Sequence, residues 1–476
     1  MRLLAALAVV LATLAASTRA VAVEPSEVIA THAELAWRSY GAAASAASLL
    51  AARIDAFAAN PDQASLEACR AAWREAHASY SPTEVFRFQD GPIDREGGPE
   101  TKINAWPLDE QWVDATLDDP TAGLINRTAP LTAELLIAAN EQDGEKNIAT
   151  GYHAIEFLLW GQDRDPVGPG NRPLSDFTTA PQAARRRQYL QLSAQLLTTH
   201  LSQVLAEWAP GTANYRQRLM AGPPAAGLHA AFTGLVMMAG DELSGERMAV
   251  AYETQDQEEE QSCFSDSTWQ DIQQNIAGMA MVWTGRLGDW QGPSLRALVA
   301  ARSATAAQAM DAALADSVAR AADIPQPFDQ ALGGGNDSPG RAALLAAIEA
   351  LEAQADATVG AGQAVGVVLD FGANANNAIV GCKELIDNSG ELIALLKGGK
   401  PAEAGILADA MFKRWLSIET AITPIAPTLY RDIEAALFGL RSVARSAQPN
   451  LATAAARHIA LQAALKKVLP LLQTAK

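Results

Sequence analysis

The chain has 476 residues, with 36 Lys and Arg against 54 Asp and Glu, a formal net charge of −18, six histidines and three cysteines. That acidity disfavours nucleic acid and anionic membrane surfaces as partners. A length this great exceeds what one hydrophobic core usually holds, so two domains are expected.

The N-terminus reads as a secretory signal over residues 1–22. Arg2 supplies the positive start, Leu3 to Ala16 the apolar core, and Ala20-Val21-Ala22 a small-residue cleavage site. The apolar core is too short to span a bilayer, and no cysteine follows it to carry a lipid anchor. No other stretch reads as a transmembrane segment. The expectation is an exported protein, periplasmic or associated with the outer membrane, of 454 residues with a net charge of −20 once Arg2 and Arg19 are removed.

The rest is rich in alanine and leucine at helical spacing, and runs of alternating β-branched residues are nearly absent. The pattern predicts a helix from Glu27 to Phe57 capped by Ser26, and a second from Gln63 to Tyr80 stopped by Ser81-Pro82. A loop-rich stretch runs from Asp90 to Glu110. Helices follow at Pro130–Asn140, Ile148–Trp160, Pro181–Trp208 and Ala225–Tyr252, then an acidic connector at Glu253–Asp266. Its acidic run, Gln257 to Asp266, reads as a solvated face that ends in a cap, with Asp266 or Ser265 capping the next helix. Beyond it lie helices at Thr268–Leu287, Pro293–Arg320, Arg341–Val359, Asn374–Leu396, Pro401–Thr420, Pro424–Ser446 and Leu451–Gln473. The fold class is therefore all-α: two tandem helical bundles, residues 23–290 and 291–476, with a weak echo between Ile54–Tyr80 and Ile324–Asp356 that suggests duplication.

Cys69, Cys263 and Cys382 form neither a CxxC motif nor a disulfide framework. Cys69 sits at a helix core position, which leaves Cys263 with Cys382 as the expected pair in an oxidising compartment.

The most informative segment is Gly151-Tyr152-His153-Ala154-Ile155-Glu156, inside Thr150–Asp163. Residues three apart share a helix face, so His153 and Glu156 meet among apolar neighbours. Imidazole beside carboxylate suits a transition metal or a proton relay; it equally suits a core histidine satisfied by its neighbour. Glu84 is the second candidate, an acid among aromatic residues with Arg87 three positions on as a ready partner; Asp94 adds a loop carboxylate. Glu246 and Arg247 are adjacent on a helix, face different directions and need outside partners. Asp163-Arg164-Asp165 begins like a calcium loop, but Pro166 breaks the spacing. No His-Glu-x-x-His, Gly-x-Ser-x-Gly or phosphate-binding glycine loop occurs.

These blocks together resemble the imelysin family of exported bacterial proteins. Gly151, His153 and Glu156 match its Gly-x-His-x-x-Glu signature, supported by YSPTEVFRFQDGPID from Tyr80, INAWPLDE from Ile103, GERM from Gly245 and SCFSDST from Ser262. The resemblance implies two helical domains with the His/Glu motif in a cleft of the first, a peptidase label, and kinship with periplasmic components of ferrous-iron uptake. In those the His-x-x-Glu pair works with upstream acids, which correspond here to Glu84 and Asp94. Ser81 and Gln261 depart from the pattern, standing where relatives often have a carboxylate and a histidine.

Combined, His153, Glu156, Glu84 and Asp94 form the candidate metal set: one nitrogen and several oxygens, suited to iron, with zinc and copper as competitors. Three functions stay open. One is a periplasmic iron-binding protein whose partners are the metal ion and an envelope iron-uptake complex. The second is a metallopeptidase, although a catalytic zinc needs three ligands and an open position. The third is a helical module that binds a non-metal ligand or a partner protein.

Overall fold

The computed structural model describes residues 23–476 apart from 96, 143, 145, 166, 212, 336, 370–374, 417, 423–424, 447–448 and 475–476. The expected signal segment, 1–22, lies outside the described residues. The chain is all-α as expected. Among the described residues the strands are β1 (Arg286–Leu287) and β2 (Trp290–Gln291), a two-stranded hairpin.

The first body opens with α1 (Pro25–Ala59) and α2 (Gln63–Tyr80). Helix α1 starts two residues earlier than Ser26 suggested. Pro25 takes the first helical position, and Glu27 accepts a hydrogen bond from the Glu24 amide at 3.1 Å, so Glu24 is the cap. Length and composition would let α1 cross a membrane. It packs lengthwise on α2 and on α7 (Ala183–Trp208), burying Leu35, Tyr40, Leu50, Ile54 and Phe57, as a core helix does. Between α2 and α7 lie short helices: α3 (Glu110–Val113), α4 (Ala133–Ala139), α5 (Gly151–Trp160) and α6 (Ser175–Thr178).

After α8 (Tyr215–Ala221), the expected single helix at Ala225–Tyr252 is continuous but changes pitch. It runs as α9 (Pro224–Met237), a π-helix over Met238–Ala249, and α10 (Val250–Thr254). The connector is less solvated than its charge suggests: Glu260 and Gln261 are each 2% exposed. Helix α11 (Thr268–Thr284) begins after Ser267, which makes no side-chain cap. The expected helix at Pro293–Arg320 is divided into α12 (Leu295–Arg302) and α13 (Ala304–Ala322) by Ser303, whose hydroxyl caps the second piece at Ala306 N, 3.2 Å away.

Helix α14 (Pro339–Ala364) packs on α13, on α9 and on the π-helix, so the chain as far as Val367 belongs to one hydrophobic core. A second core is built from α15 (Ala375–Lys397), α16 (Pro401–Leu416), α17 (Pro427–Arg445) and α18 (Leu451–Thr474). Successive helices pack on each other and α18 returns to α15, as in an up-and-down four-helix bundle. Buried side chains therefore divide near residue 370, later in the chain than residue 290, and α10 contributes Val250 to the second core. This division separates the cysteines: Cys69 and Cys263 lie in the first core and Cys382 in the second, all three buried as free thiols. The expected Cys263–Cys382 disulfide is thereby corrected.

Candidate metal centre

Helix α5 is buried at every residue from Gly151 to Trp160. Its first residue explains the leading glycine of the motif. Gly151 has φ +88°, and a Cβ there would stand 2.5 Å from the Ile103 carbonyl oxygen, which accepts a hydrogen bond from the Tyr152 amide at 2.8 Å. Trp73 donates to the Tyr152 carbonyl at 2.9 Å and Arg70 to the Leu159 carbonyl, so α2 holds both ends of the helix.

The i, i+3 reading is correct in geometry. His153 Nδ1 lies 2.8 Å from Glu156 Oε2, and neither side chain is exposed. The other Glu156 oxygen accepts from the Ser265 amide at 2.9 Å and its hydroxyl at 2.7 Å. His153 Nε2 is buried and has no hydrogen-bond partner. Burial, then the nearby charge of His77, lowers the His153 pKa to about 3, so the ring is neutral at physiological pH. Burial raises the Glu156 carboxyl to about 8 against the Ser265 hydrogen bonds.

A second imidazole, not assigned from sequence, stands beside the first. The rings of His77 and His153 are 5.3 Å apart, edge to face. His77 Nδ1 is 2.8 Å from Asp271 Oδ1, and Nε2 is 2.9 Å from Asn104 Oδ1. Burial opposes the charged form of His77, but Asp271 outweighs it and the pKa is raised. With the Asp271 carboxylate beside Nδ1 and Asn104 Oδ1 at Nε2, His77 is the member of the pair whose charged form its neighbours favour.

Asn104 continues the chain of contacts to Glu84, donating through Nδ2 at 3.0 Å. Glu84 is fully buried and saturated. Arg247 binds both its oxygens at 2.7 Å, and Asn275 donates to Oε2 at 2.8 Å. Arg87, the partner expected from spacing, is farther away at 3.5 Å and pairs more closely with Glu242 at 3.0 Å. Burial raises the Glu84 carboxyl, but the Arg247 charge prevails and holds it below the usual carboxylate range. Asp94 is placed elsewhere: its oxygens accept from the amides of Gln89 and Gly91 at 2.9 and 2.8 Å, closing its own loop. The structure thus joins His153 to Glu156 directly, links Glu84 to His77 through Asn104, and leaves Asp94 as a loop cap. Asp163 likewise closes a turn, accepting from the Asp165 amide at 3.0 Å.

A cavity of about 280 Å³ lies between the two cores, lined by Arg87, Asn104, Arg247 and Gln261 from the first and by Phe412 and Phe438 from the second. His153 does not line it. Asn104 does, so one amide separates the cavity from His77. The missed residues carried little local signal: His77 and Asp271 are 194 positions apart, and Glu84 and Arg247 are 163 apart. The Ile103, Gly245 and Ser262 blocks nonetheless supply Asn104, Arg247 and Ser265.

Comparison with known proteins gives one family model, imelysin, matching residues 6–358. Iron-regulated protein A of Synechococcus elongatus is 29% identical over 329 residues, covering 67% of this chain and 80% of that protein. A solved structure from Parabacteroides distasonis, assigned by name to iron-regulated protein A precursors, superposes with a TM-score of 0.55 at 17% identity, covering 72% of this chain and 95% of that one. At that identity the likeness concerns the fold alone.

Proposed function

The chain belongs to the imelysin family, and from that membership we propose an exported metal-binding protein that serves iron acquisition, with His153 as its ready ligand. The observation that carries this reading is the state of one ring: Nδ1 is held by the Glu156 carboxyl while Nε2 is buried without a partner, and because burial raises Glu156 to about 8, the metal-binding tautomer, with Nδ1–H donating to the carboxylate, forms once Glu156 gives up its proton. Metal-ligating histidines have this arrangement, the second nitrogen being fixed by a carboxylate that sets tautomer and orientation. Glu156 then orients the ligand, since both its oxygens are already engaged. The donors fit a borderline metal, for which imidazole is a suitable ligand. His77 is the adjacent nitrogen, available once its Nε2 proton leaves and Asn104 turns away; metal binding would release that proton. Glu84 supports the site through Asn104.

Iron is the first metal to test because the Synechococcus elongatus relative is named as iron-regulated; zinc and copper are the competitors. The segment 1–22 supports export, and delivery to an envelope iron-uptake complex is the role this reading gives the protein. The peptidase reading is disfavoured by burial, because a peptide has no path to a ring that is 0% exposed.

The test is calorimetric titration of the metal-stripped mature protein with ferrous iron under anaerobic conditions, beside His153→Ala. One equivalent bound by the wild type and lost in the variant supports the reading. No binding by a folded wild type sinks it and favours an organic ligand in the cavity.

A further inference from the structure

The adjacent pair Glu246-Arg247 sends its two side chains opposite ways. Arg247 turns inward to Glu84. Glu246 turns to the second core, where it meets Glu419, in the turn after α16, and Glu434 on α17. One oxygen from each of the three lies within 4.8 Å of the others.

The surroundings are built for close approach. The backbone carrying Glu246 is the π-helix Met238–Ala249, a geometry that often marks functional positions. A Cβ at Gly245 would stand 2.6 Å from the Tyr430 hydroxyl, so only glycine lets α17 come this near. That hydroxyl reaches Glu246 Oε1 at 3.5 Å. Glu434 is 2% exposed; its Oε1 accepts from Trp415 Nε1 at 3.1 Å and the Tyr430 hydroxyl also faces this carboxyl, while Oε2 is buried without a partner in hydrogen-bond geometry. Burial, and then the charges of Glu246, Asp241, Glu434 and Glu242, push the Glu419 carboxyl well above its ordinary range. Burial, followed by Glu434, Asp241 and Glu242, does the same to Glu246.

We propose that Glu246, Glu419 and Glu434 form a second cation site, for a hard, oxygen-preferring divalent ion of the Mn2+, Mg2+ or Ca2+ class, which fastens the two cores together. Oxygens on opposite sides of a Ca2+ ion are about 4.8 Å apart, so this separation fits one coordination sphere. A bare, buried carboxylate oxygen among like charges needs a cation or a proton. The donors are oxygen only, unlike the nitrogen at His153, so the two sites would sort hard from borderline metals. Glu246 also lines the cavity between the cores, which gives an ion its way in and puts the site in the wall of that cavity. The inference goes beyond the iron reading and stands without it.

The experiment is an electron paramagnetic resonance titration of the metal-stripped full mature chain with Mn2+ at pH 8. The wild type should bind one Mn2+ that excess Ca2+ or Mg2+ displaces. Glu419→Gln/Glu434→Gln should bind at least tenfold more weakly, and His153→Ala should bind as the wild type does. Should the double variant fail to fold, Glu434→Gln alone carries the same tenfold expectation. Absence of stoichiometric Mn2+ from the wild type, or unchanged binding in the glutamine variants, overturns the proposal. Loss of Mn2+ in His153→Ala would move the ion to the histidines and overturn it equally.

Discussion

Replacing Glu84 by Gln separates a supporting carboxylate from a metal ligand. Glu84 accepts two bonds of 2.7 Å from Arg247, one of 2.8 Å from Asn275 and one of 3.0 Å from Asn104, with no exposure. Removing one member of a buried ion pair costs about 3–5 kcal/mol, because the other charge stays buried. Two features reduce that cost here: Arg247 keeps Glu242 Oε1 at 2.6 Å, and the amide oxygen of Gln still accepts from one asparagine. The expected loss is therefore about 3 kcal/mol, near the low end. With a urea slope of about 2–3 kcal/mol per molar, the midpoint of the tryptophan-fluorescence transition should fall by about 1 M. Burial raises the Glu84 pKa but Arg247 lowers it further, so the folded value lies below the unfolded one. The stability from this group is present above the unfolded carboxylate pKa and is lost as pH falls through the folded pKa. The gap between wild type and variant should therefore narrow below about pH 4. Ferrous-iron affinity of the folded variant should change less than about threefold, equivalent to under ~1 kcal/mol. A loss below 1 kcal/mol would refute the buried-pair argument. Abolished iron binding with the fold intact would return Glu84 to the ligand set.

Three further outcomes follow from named contacts. Gly151→Ala should destabilise the protein by about 2–3 kcal/mol in urea unfolding, since φ +88° and a Cβ 2.5 Å from a carbonyl oxygen combine strain with overlap; a neutral result would mean that α5 need not sit against Ile103. Burial, then the charge of Asp163, raises the Asp266 carboxyl from 3.8 to about 7. Its folded pKa exceeds the unfolded one, so its contribution is full below about pH 4 and is lost as pH rises to 7. Asp266→Asn, tolerated at φ 53°, should raise stability by about 1–2 kcal/mol at pH 8 after discounting for partial exposure, and by nothing at pH 4; an equal gain at both pH values would contradict the charge argument. Thiol titration of the purified, unreduced protein in denaturant should find three reactive cysteines, and a count of one would restore a disulfide.

Much of the helical fold is legible because its punctuation is local. The predicted Gln63–Tyr80 matches α2 at both ends, since Asp62 caps it through Ser65 and Ser81-Pro82 stops it. The π-helix is not legible: apolar spacing marks a buried face and is silent on whether hydrogen bonds reach four or five residues back. Nor is the division of the core near residue 370, because α12 to α14 are amphipathic helices whose partners are set by packing. At the site, His153 and Glu156 were readable as neighbours on one helix face. Their surroundings were not: Glu84 has a plausible local partner in Arg87, and its actual partner, Arg247, arrives from a distant helix. The need of Glu246 and Arg247 for outside partners was visible from their adjacency, but which partners they meet depends on the second core.

The most direct test of the iron reading is anomalous diffraction at the iron edge from crystals of the metal-stripped protein loaded with ferrous iron under anaerobic conditions. The predicted result is a peak within bonding distance of His153 Nε2, with Glu156 still on Nδ1. Iron density confined to other residues, with Nε2 bare, would contradict it.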